Sequence, residues 1–553
     1  MKEHSITLER NAVSYFSCVG SSSFIAACSF AEPDKSTDST GPELYCCSSS
    51  FPAETHRNAA AQARLWSRFQ SQVSPACRVQ PRSADEIAAV LNVVRERRCR
   101  FAVLGGGTAP SAGSSNAEGG VTIDLRRMDD VCMVDAPKTD WSTNDPAVQV
   151  GGGARWADVY RLLEPRNMSA VGTRSSLTGG GGISFFSQAR GWACDNVLEF
   201  EVVLANASVV LANEQTNSGL FRALRGGGSN FGIVSRVTID AFPQPPALYK
   251  FRRWDVGAAD RVFQRLHVFA HAMPRDMEMV AVTLAWSARL PEFVLSERIV
   301  TTSQPLQAKQ TWEKSYDQPQ EEPDPRDAAS VLEEHSYTRT PLQMAQVIDH
   351  TNQEGYFNYF GSITVRSDPL LCQRIAAIFQ REARSIVEVA DVKAYIVFNP
   401  LTVPTMQRMK RRGGNALGLD DEEGPLLGTF SLFHGDLEES RADTPTFVIT
   451  VINLNMHWTS EQDTRRMRSL MVTLLYRFTK AAKDSGHDHP YVFLNHAFET
   501  QKPLLGYGRQ ALRRLHQTRK AVDPDGVFQQ LQEAHHRLGL DPPEDTNPMK
   551  DEL

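Results

Sequence analysis

The sequence predicts an α+β protein with two sheets, one in each of two domains. Three observations carry this expectation. The chain has 553 residues, 41% of them hydrophobic, which is too long for one compact core. Glycine clusters at Gly105-Gly106-Gly107, Gly179 to Gly182 and Gly226-Gly227-Gly228 lie in the first half, after short apolar strands. From Pro243 the glycine triplets stop, and aromatic and β-branched strands alternate with amphipathic helices.

Residues 1–50 are rich in Ser, Thr and Gly and read as disordered or processed. Within them, Ala12 to Ala31 is weakly apolar and ends in Ser29-Phe30-Ala31, a small-x-small cleavage pattern. The chain stops at Lys550-Asp551-Glu552-Leu553, the ER-retention address. Together these suggest the secretory pathway. The opposing reading is a disordered N-terminus and a solvated acidic tail in a cytoplasmic protein.

A first domain is expected over 59–243. Ala59 to Phe69 reads as a helix. Ser83-Ala84-Asp85-Glu86 has capping-box form, and Ile87, Val90, Leu91 and Val94 follow at helical spacing. Arg100 to Leu104, Val121 to Leu125, Ala147 to Val150 and Leu198 to Ala205 read as strands, and Arg155 to Leu163 as a helix. A second domain is expected over 244–485. Its strands are Val280 to Trp286, Tyr359 to Val365, Lys393 to Phe398 and Phe447 to Met456. Its helices are Arg261 to Ala270, Pro369 to Ser385 and Glu461 to Lys483. Gln318 to Asp327 is acidic and proline-rich, a surface excursion. Residues 486–538 form a closing segment and 539–553 a tail.

Composition narrows the function. The net charge is -6, and basic clusters such as Lys410-Arg411-Arg412 are short, which argues against a nucleic-acid partner. No apolar run approaches the roughly 20 residues of a membrane span. The 9 cysteines show no C-x-x-C pair. Cys46, Cys47, Cys77 and Cys99 leave open one local disulfide or buried thiols. His487-Asp488-His489 lacks a third ligand in sequence and reads as a solvated turn, so no metal is expected. No G-x-S-x-G elbow supports a hydrolase.

Glycine lets backbone N–H groups approach an anion closely. No cluster fits G-x-G-x-x-G, because Pro110 and Phe231 stand where a third glycine would fall. Several such loops in one domain suggest that they wrap one large phosphate-bearing ligand.

The segments themselves carry a resemblance. Phe101 to Gly107 with Gly113 and Gly119 to Leu125, Gly180 to Phe186 with Gly191 to Val197, and Leu220 to Val234 resemble the flavin-binding segments of berberine-bridge-enzyme-like oxidases. These belong to the vanillyl-alcohol-oxidase superfamily. Gly413 to Leu419 resembles a segment of its fungal secondary-metabolism members. Tyr491 to Asn495, Tyr507-Gly508, and Arg514 to Phe528 follow the family's closing pattern. The resemblance spans nearly all of Ala59 to Leu538.

It implies a two-subdomain flavin domain of the PCMH type, a substrate domain with an antiparallel sheet backed by helices, and a C-terminal segment rejoining the flavin domain. It also implies FAD as cofactor. Gly105, Gly106, Gly107, Thr108 and Ala109 would face the pyrophosphate. Gly180, Gly181 and Ser184 would line the flavin. Asn196, Gly228, Gly232 and Val234 would complete the site, and Asn495 would sit near the pyrimidine edge of the ring.

Three departures matter. Thr108 stands where many members place a histidine bonded to the flavin; threonine cannot form that link, though its hydroxyl can bond a phosphate oxygen. Met168-Ser169-Ala170 precede Val171-Gly172, where some members carry a second anchoring cysteine. The resemblance therefore implies a non-covalent, dissociable FAD with a lower reduction potential than bicovalent members. Lastly, the stretch from Leu163 to Gly180 is several residues short of the family segment. Arg174-Ser175-Ser176 stand where paired glycines are usual. Either the loop is rebuilt, with Arg174 pairing a phosphate, or it is defective or the gene prediction imperfect.

In the family a hydride passes from a substrate carbon to the flavin while a base removes a proton, and O2 commonly reoxidises the flavin. Candidates for the base are Tyr356 and Tyr359 in the stretch Tyr356 to Phe360, and His496, which titrates near neutrality when exposed. The leading expectation is a monomeric FAD-dependent oxidoreductase acting on a small secondary metabolite. The resemblance also permits a redox-neutral cyclase, and the shortened loop a relic without activity.

Overall fold

The computed structural model describes residues 65–136, 146–272, 277–290, 292–301, 330–350, 354–411, 413–419, 448–533 and 536–539. The Ser-rich N-terminal stretch, most of the expected Ala59 to Phe69 helix, the Gln318 to Asp327 excursion and the Lys550 to Leu553 address lie outside them. Of that first helix the structure describes one turn, Arg68–Ser71.

The first sheet is parallel. Its order is Cys77–Val79, Val121–Asp124, Phe101–Leu104, with Val121 opposite both Cys77 and Phe101. The helix Ala84–Arg97 covers it through Ile87, Leu91 and Val94. Ser83 caps that helix by accepting the Glu86 N–H at 3.2 Å. The box is shifted by one residue, since the Glu86 carboxylate accepts from Arg82 N–H rather than from Ser83. Arg98 then closes the helix at φ 52°. Cys77 and Cys99, at the edge of this layer, are both disulfide-bonded, while Cys194 and Cys372 are free thiols.

The second sheet is antiparallel and is built on the long strand Ile233–Pro243. It pairs with Pro146–Gly151 on one side and Val197–Val203 on the other, and its far end meets Met168–Ala170. Val131–Asp135 and Val209–Asn213 form the edges. The C-terminal segment returns to the first sheet. Phe101 N–H donates to Leu531 O at 2.9 Å, and Glu533 N–H donates to Phe101 O at 2.6 Å.

The third sheet has eight antiparallel strands, in the order Val331–Arg339, Ala247–Trp254, Val294–Thr301, Met277–Ser287, Lys393–Leu401, Ile449–Trp458, Phe357–Arg366, Asp488–His489. Its central strand Ile449–Trp458 is buried throughout. One face, with Ile452, Leu454, Met456 and Trp458, packs under the helices Ala259–Ala272, Pro369–Ala383 and Thr464–Asp484. Asp368 starts the second of these by accepting Leu371 N–H at 2.6 Å, with Pro369 at the first helical position. His487-Asp488-His489 is no solvated turn. His489 pairs with Thr364, and burial, then Arg366, holds its imidazole down at about 3.

Three strands of this sheet escape the sequence reading: Ala247–Trp254, Val294–Thr301 and Val331–Arg339. Charged side chains interrupt their alternation. They pair across the strands, Lys250 with Glu334 at 3.2 Å and Arg252 with Glu297 at 3.8 Å. All three sheets lie in one compact unit.

Candidate active site

The strand Phe101–Leu104 delivers its chain into Gly105-Gly106-Gly107, and three glycine loops meet there. A methyl on Gly106 would lie 2.4 Å from Gly179 N, and one on Gly105 would lie 3.0 Å from Gly152 O. Side chains at these positions would force the loops apart. Gly151-Gly152-Gly153 belongs to this junction and is missed by the sequence reading, although it is as dense a cluster as the others.

The second loop is pinned from behind. Trp156 Nε1–H donates to Gly180 O at 2.8 Å, and the Trp156 ring fills the space beside Gly172. Its front is free: Gly179 to Gly181 are exposed, and a methyl on Gly180 would meet nothing within 4 Å. This is backbone offered to open space. Gly228, at φ 71°, is exposed and lies beside Leu494. Asn495 Nδ2–H donates to Gly181 O at 2.5 Å. Gly181, Gly182 and Asn495 are thus brought together.

Thr108 and Ala109 are partly exposed on the loop after Gly107. That loop is clamped by Trp66 N–H to Gly107 O at 3.2 Å and Ser67 Oγ–H to Pro110 O at 2.7 Å. Four expected cofactor residues also make scaffold contacts. Asn196 is fully buried and donates its amide hydrogens to Arg190 O and Trp192 O. Ser184 is fully buried and accepts Phe186 N–H at 3.3 Å. Gly232 packs against Val202, and Val234 pairs with Val202 in the second sheet. Gly413 to Leu419 is likewise structural: Arg225 Nη1–H reaches Gly414 O, and Asn415 Nδ2–H reaches Asp195 Oδ1, both at 2.7 Å.

Arg174 does not turn toward the Gly105 to Gly107 loop. Its Nη1–H donates to Asn399 Oδ1 on the third sheet at 2.9 Å. The shortened loop is well held. Ser175 Oγ–H and Ser176 Oγ–H donate to the two oxygens of Asp349 at 2.6 and 2.5 Å. Ala157 N–H, at the start of the helix Trp156–Leu163, donates to Ser176 O at 2.9 Å.

The third sheet turns its polar face toward these loops. Register places Asn358 opposite His457, Lys393 opposite His457, and Tyr395 opposite Asn455, so their side chains share that face. His457 is 2% exposed. Its Nδ1 lies 2.5 Å from Asn358 Oδ1 and its Nε2 3.2 Å from the Tyr395 hydroxyl. Burial, then Lys393 and His496, pushes the His457 pKa down to about 3. Burial raises that of Tyr395, opposed by Arg298 and Arg174.

His496 joins the two halves. Its ring stacks on Phe360 at 4.6 Å, it follows Asn495, and burial with Arg174 nearby holds it at about 3. Phe360 in turn meets Trp66 and His457. Tyr356 sits at the rim, with Lys393 Nζ 4.9 Å from its ring centroid. Tyr359 points the other way. It packs on Phe69, Trp458 and Phe498 in the helix-covered core, and burial pushes its phenol up to about 12. It is therefore separated from His496 by the thickness of the sheet. His457 and Tyr395 are absent from the sequence candidates. The signal that could have found His457 is the alternation Asn453, Asn455, His457 in a strand otherwise mostly apolar.

Arg174's contacts Met279 and Asn399 line a small cavity together with Ile183, Ser184, Gln188 and Trp192. It opens between the second glycine-loop region and the third sheet.

Residues 75–213 match the FAD binding domain family. Over most of its length the chain is similar to the FAD-dependent monooxygenase tpcD of Cochliobolus heterostrophus, at 28% identity, with 88% of this chain and 89% of that protein covered. It is also similar to the bifunctional solanapyrone synthase of Alternaria solani, at 26% identity with 83% and 80% covered. The solved structure of 6-hydroxy-D-nicotine oxidase from Arthrobacter nicotinovorans superposes with a TM-score of 0.66 at 16% identity, covering 89% of this chain and 97% of that one. That likeness is one of fold.

Proposed function

We propose that this FAD-linked oxidoreductase, similar to fungal FAD-dependent monooxygenases, oxidises a small organic metabolite held between the glycine loops and the polar face of the third sheet. O2 is the proposed final acceptor. The observation that carries this reading is the unbroken run from Gly181 through Asn495 and His496 to Phe360, His457 and Tyr395.

The residues present fit FAD. Exposed backbone at Gly179 to Gly181, and a loop that admits no Cβ at Gly106 and leaves little room for one at Gly105, suit close approach to a pyrophosphate. Gly105 to Ala109 and Gly180-Gly181 would hold it, with Asn495, bonded to Gly181, beside the second of these loops. The proposed attachment is non-covalent. Thr108 has no ring nitrogen, and Ser169 stands in the stretch where an anchoring thiol would be needed. Cys194 is no substitute, since burial, then Asp195, raises its pKa well above the ordinary thiol value.

When bound, the flavin supplies a hydride acceptor. The chain's part is the proton. Asn358 Nδ2–H donates to Tyr356 O at 2.7 Å, which turns Asn358 Oδ1 toward His457. Nδ1 of His457 therefore carries the proton, and Nε2 accepts from the Tyr395 hydroxyl. Tyr395 can then take a substrate hydroxyl proton as its own passes to His457. An imidazole of pKa near 3 is a weak base, but a carbinol losing hydride becomes a protonated carbonyl, which is a far stronger acid. A neutral, buried histidine is a sufficient sink for that proton.

The test uses FAD-loaded protein mixed anaerobically with a panel of allylic and benzylic alcohols. Bleaching of the flavin band, its return on admitting O2, and release of all flavin on denaturation are expected. Protein that takes up no FAD, or keeps it after denaturation, would contradict the reading.

A further inference from the structure

Two guanidinium groups on the polar face stand without a carboxylate. Arg174 has Asn399 Oδ1 at 2.9 Å and Met279 Sδ at 3.9 Å as its partners. Arg298 Nη1–H donates to Thr283 Oγ1 at 3.2 Å, and its buried Nε has no acceptor. Among the described residues, neither arginine comes within ion-pair distance of an Asp or Glu. Several other inward-facing arginines do: Arg78 and Arg126 meet Asp124, Arg225 meets Asp195, and Arg252 meets Glu297. Cations withdrawn from water are normally paired, because an uncompensated one is destabilising. Two unpaired ones on a single face point to an anion that arrives from outside the chain.

The two come from different elements and converge. Arg174 rides on the loop after Met168–Ala170, and Arg298 on the strand Val294–Thr301. Arg298 pairs with Ala281 in the adjacent strand, and Met279 of that strand touches Arg174. Each guanidinium also acts on the Tyr395 phenol, and Arg298 opposes the charge of Arg174, whose pKa burial and that repulsion lower to about 10. The aim of Arg174 is set from behind: Asp349 is engaged by Ser175 and Ser176, so its charge is directed at the loop rather than at the guanidinium.

We propose that this face recognises an organic anion whose charge is shared by two oxygens, a carboxylate or the enolate of a β-dicarbonyl, bound between Arg174 and Arg298 with the Tyr395 hydroxyl beside it. The proposal rests on the reading above that the substrate lies on this face. A planar guanidinium fork matches two oxygens of one delocalised anion better than it matches a neutral hydroxyl.

The experiment is calorimetric titration of the FAD-loaded full chain with benzoate and, separately, with benzyl alcohol, its uncharged counterpart. Benzoate is expected to bind at least about tenfold more tightly. Arg298→Met and Arg174→Met should each remove most of that preference while leaving FAD content and benzyl alcohol binding as they were. Arg298→Lys keeps a cation in place, and should retain part of the preference if the fold of the other variants is in doubt. Equal binding of the two probes overturns the proposal, as does a benzoate preference that survives both methionine variants. Loss of FAD in place of benzoate also overturns it, since the arginines would then serve a cofactor phosphate. The same titrations on flavin-free chain separate the two readings. An Arg298-dependent benzoate preference in protein that takes up no FAD supports the anion site and refutes the flavin reading alone.

Discussion

The Nδ1–H of His457 donates to Asn358 Oδ1 across 2.5 Å, and the other nitrogen of that ring is thereby left facing the Tyr395 hydroxyl at 3.2 Å. The tautomer is set by a third bond, Asn358 Nδ2–H to Tyr356 O. If the pair moves the substrate's proton, Tyr395→Phe removes the relay while preserving the ring and its stacking on His457. We expect kcat to fall about a hundredfold, with FAD content and Tm nearly unchanged. An equal loss of FAD would assign Tyr395 to packing.

Acid should destabilise the protein through its buried histidines. His457 and His496 are both held near 3, by burial first and nearby cations second. Below the unfolded value of about 6.5 the unfolded chain takes up protons that the native state refuses. Stability from these groups is therefore complete above about 6.5 and is lost progressively as pH falls toward 3. Tm measured from about pH 7.5 down to about 4.5 should drop, and His457→Gln should flatten the slope. The rate profile should show no inflection near 6.5 from either ring.

The glycine loops separate two kinds of necessity. Gly106→Ala would put a methyl 2.4 Å from Gly179 N, where backbone must move, so both Tm and FAD affinity should fall. Gly180→Ala meets nothing within 4 Å. Its Tm without FAD should match the parent's, while FAD binding weakens about tenfold if the cofactor passes over that residue. Fluorescence titration with FAD reads both. Undiminished affinity in Gly180→Ala would place the cofactor elsewhere.

How much of this is legible in sequence follows from what each residue faces. The glycine loops are visible because only glycine tolerates such close backbone approach, at Gly106 and Gly179 for example. The strand containing Tyr359 is also visible, but not its orientation. Both faces of Phe357–Arg366 are buried, so apolar alternation does not mark which side meets the helices. Tyr359 consequently looks as available as its neighbours, and it lies in the core. His457 falls one residue beyond the expected strand end at Met456, where its parity with Asn453 and Asn455 is lost from view. Arg174 stands out for its charge, but a loop's direction is decided by distant partners. Asp349 lies 174 positions beyond Ser175, and Asn399 lies 225 beyond Arg174, separations that no local pattern reports.

Asp349 provides the last test, because it holds the loop that looks deficient in sequence. Its carboxylate accepts Ser175 Oγ–H at 2.6 Å, Ser176 Oγ–H at 2.5 Å and Ser176 N–H at 3.2 Å. Asp349→Asn keeps the shape but turns one acceptor into a donor facing a donor. The group is partly exposed, so the loss of stability should be modest, about 1 kcal/mol. The larger effect should fall on the loop's cargo. With Ser175-Ser176 released, Arg174 loses its fixed approach to Asn399, and KM should rise several-fold while kcat stays within about twofold. If kcat falls and KM does not, the clamp serves the placement of the flavin rather than of Arg174. The double variant with Arg174→Met distinguishes these outcomes, since a clamp acting through Arg174 adds nothing once that side chain is gone.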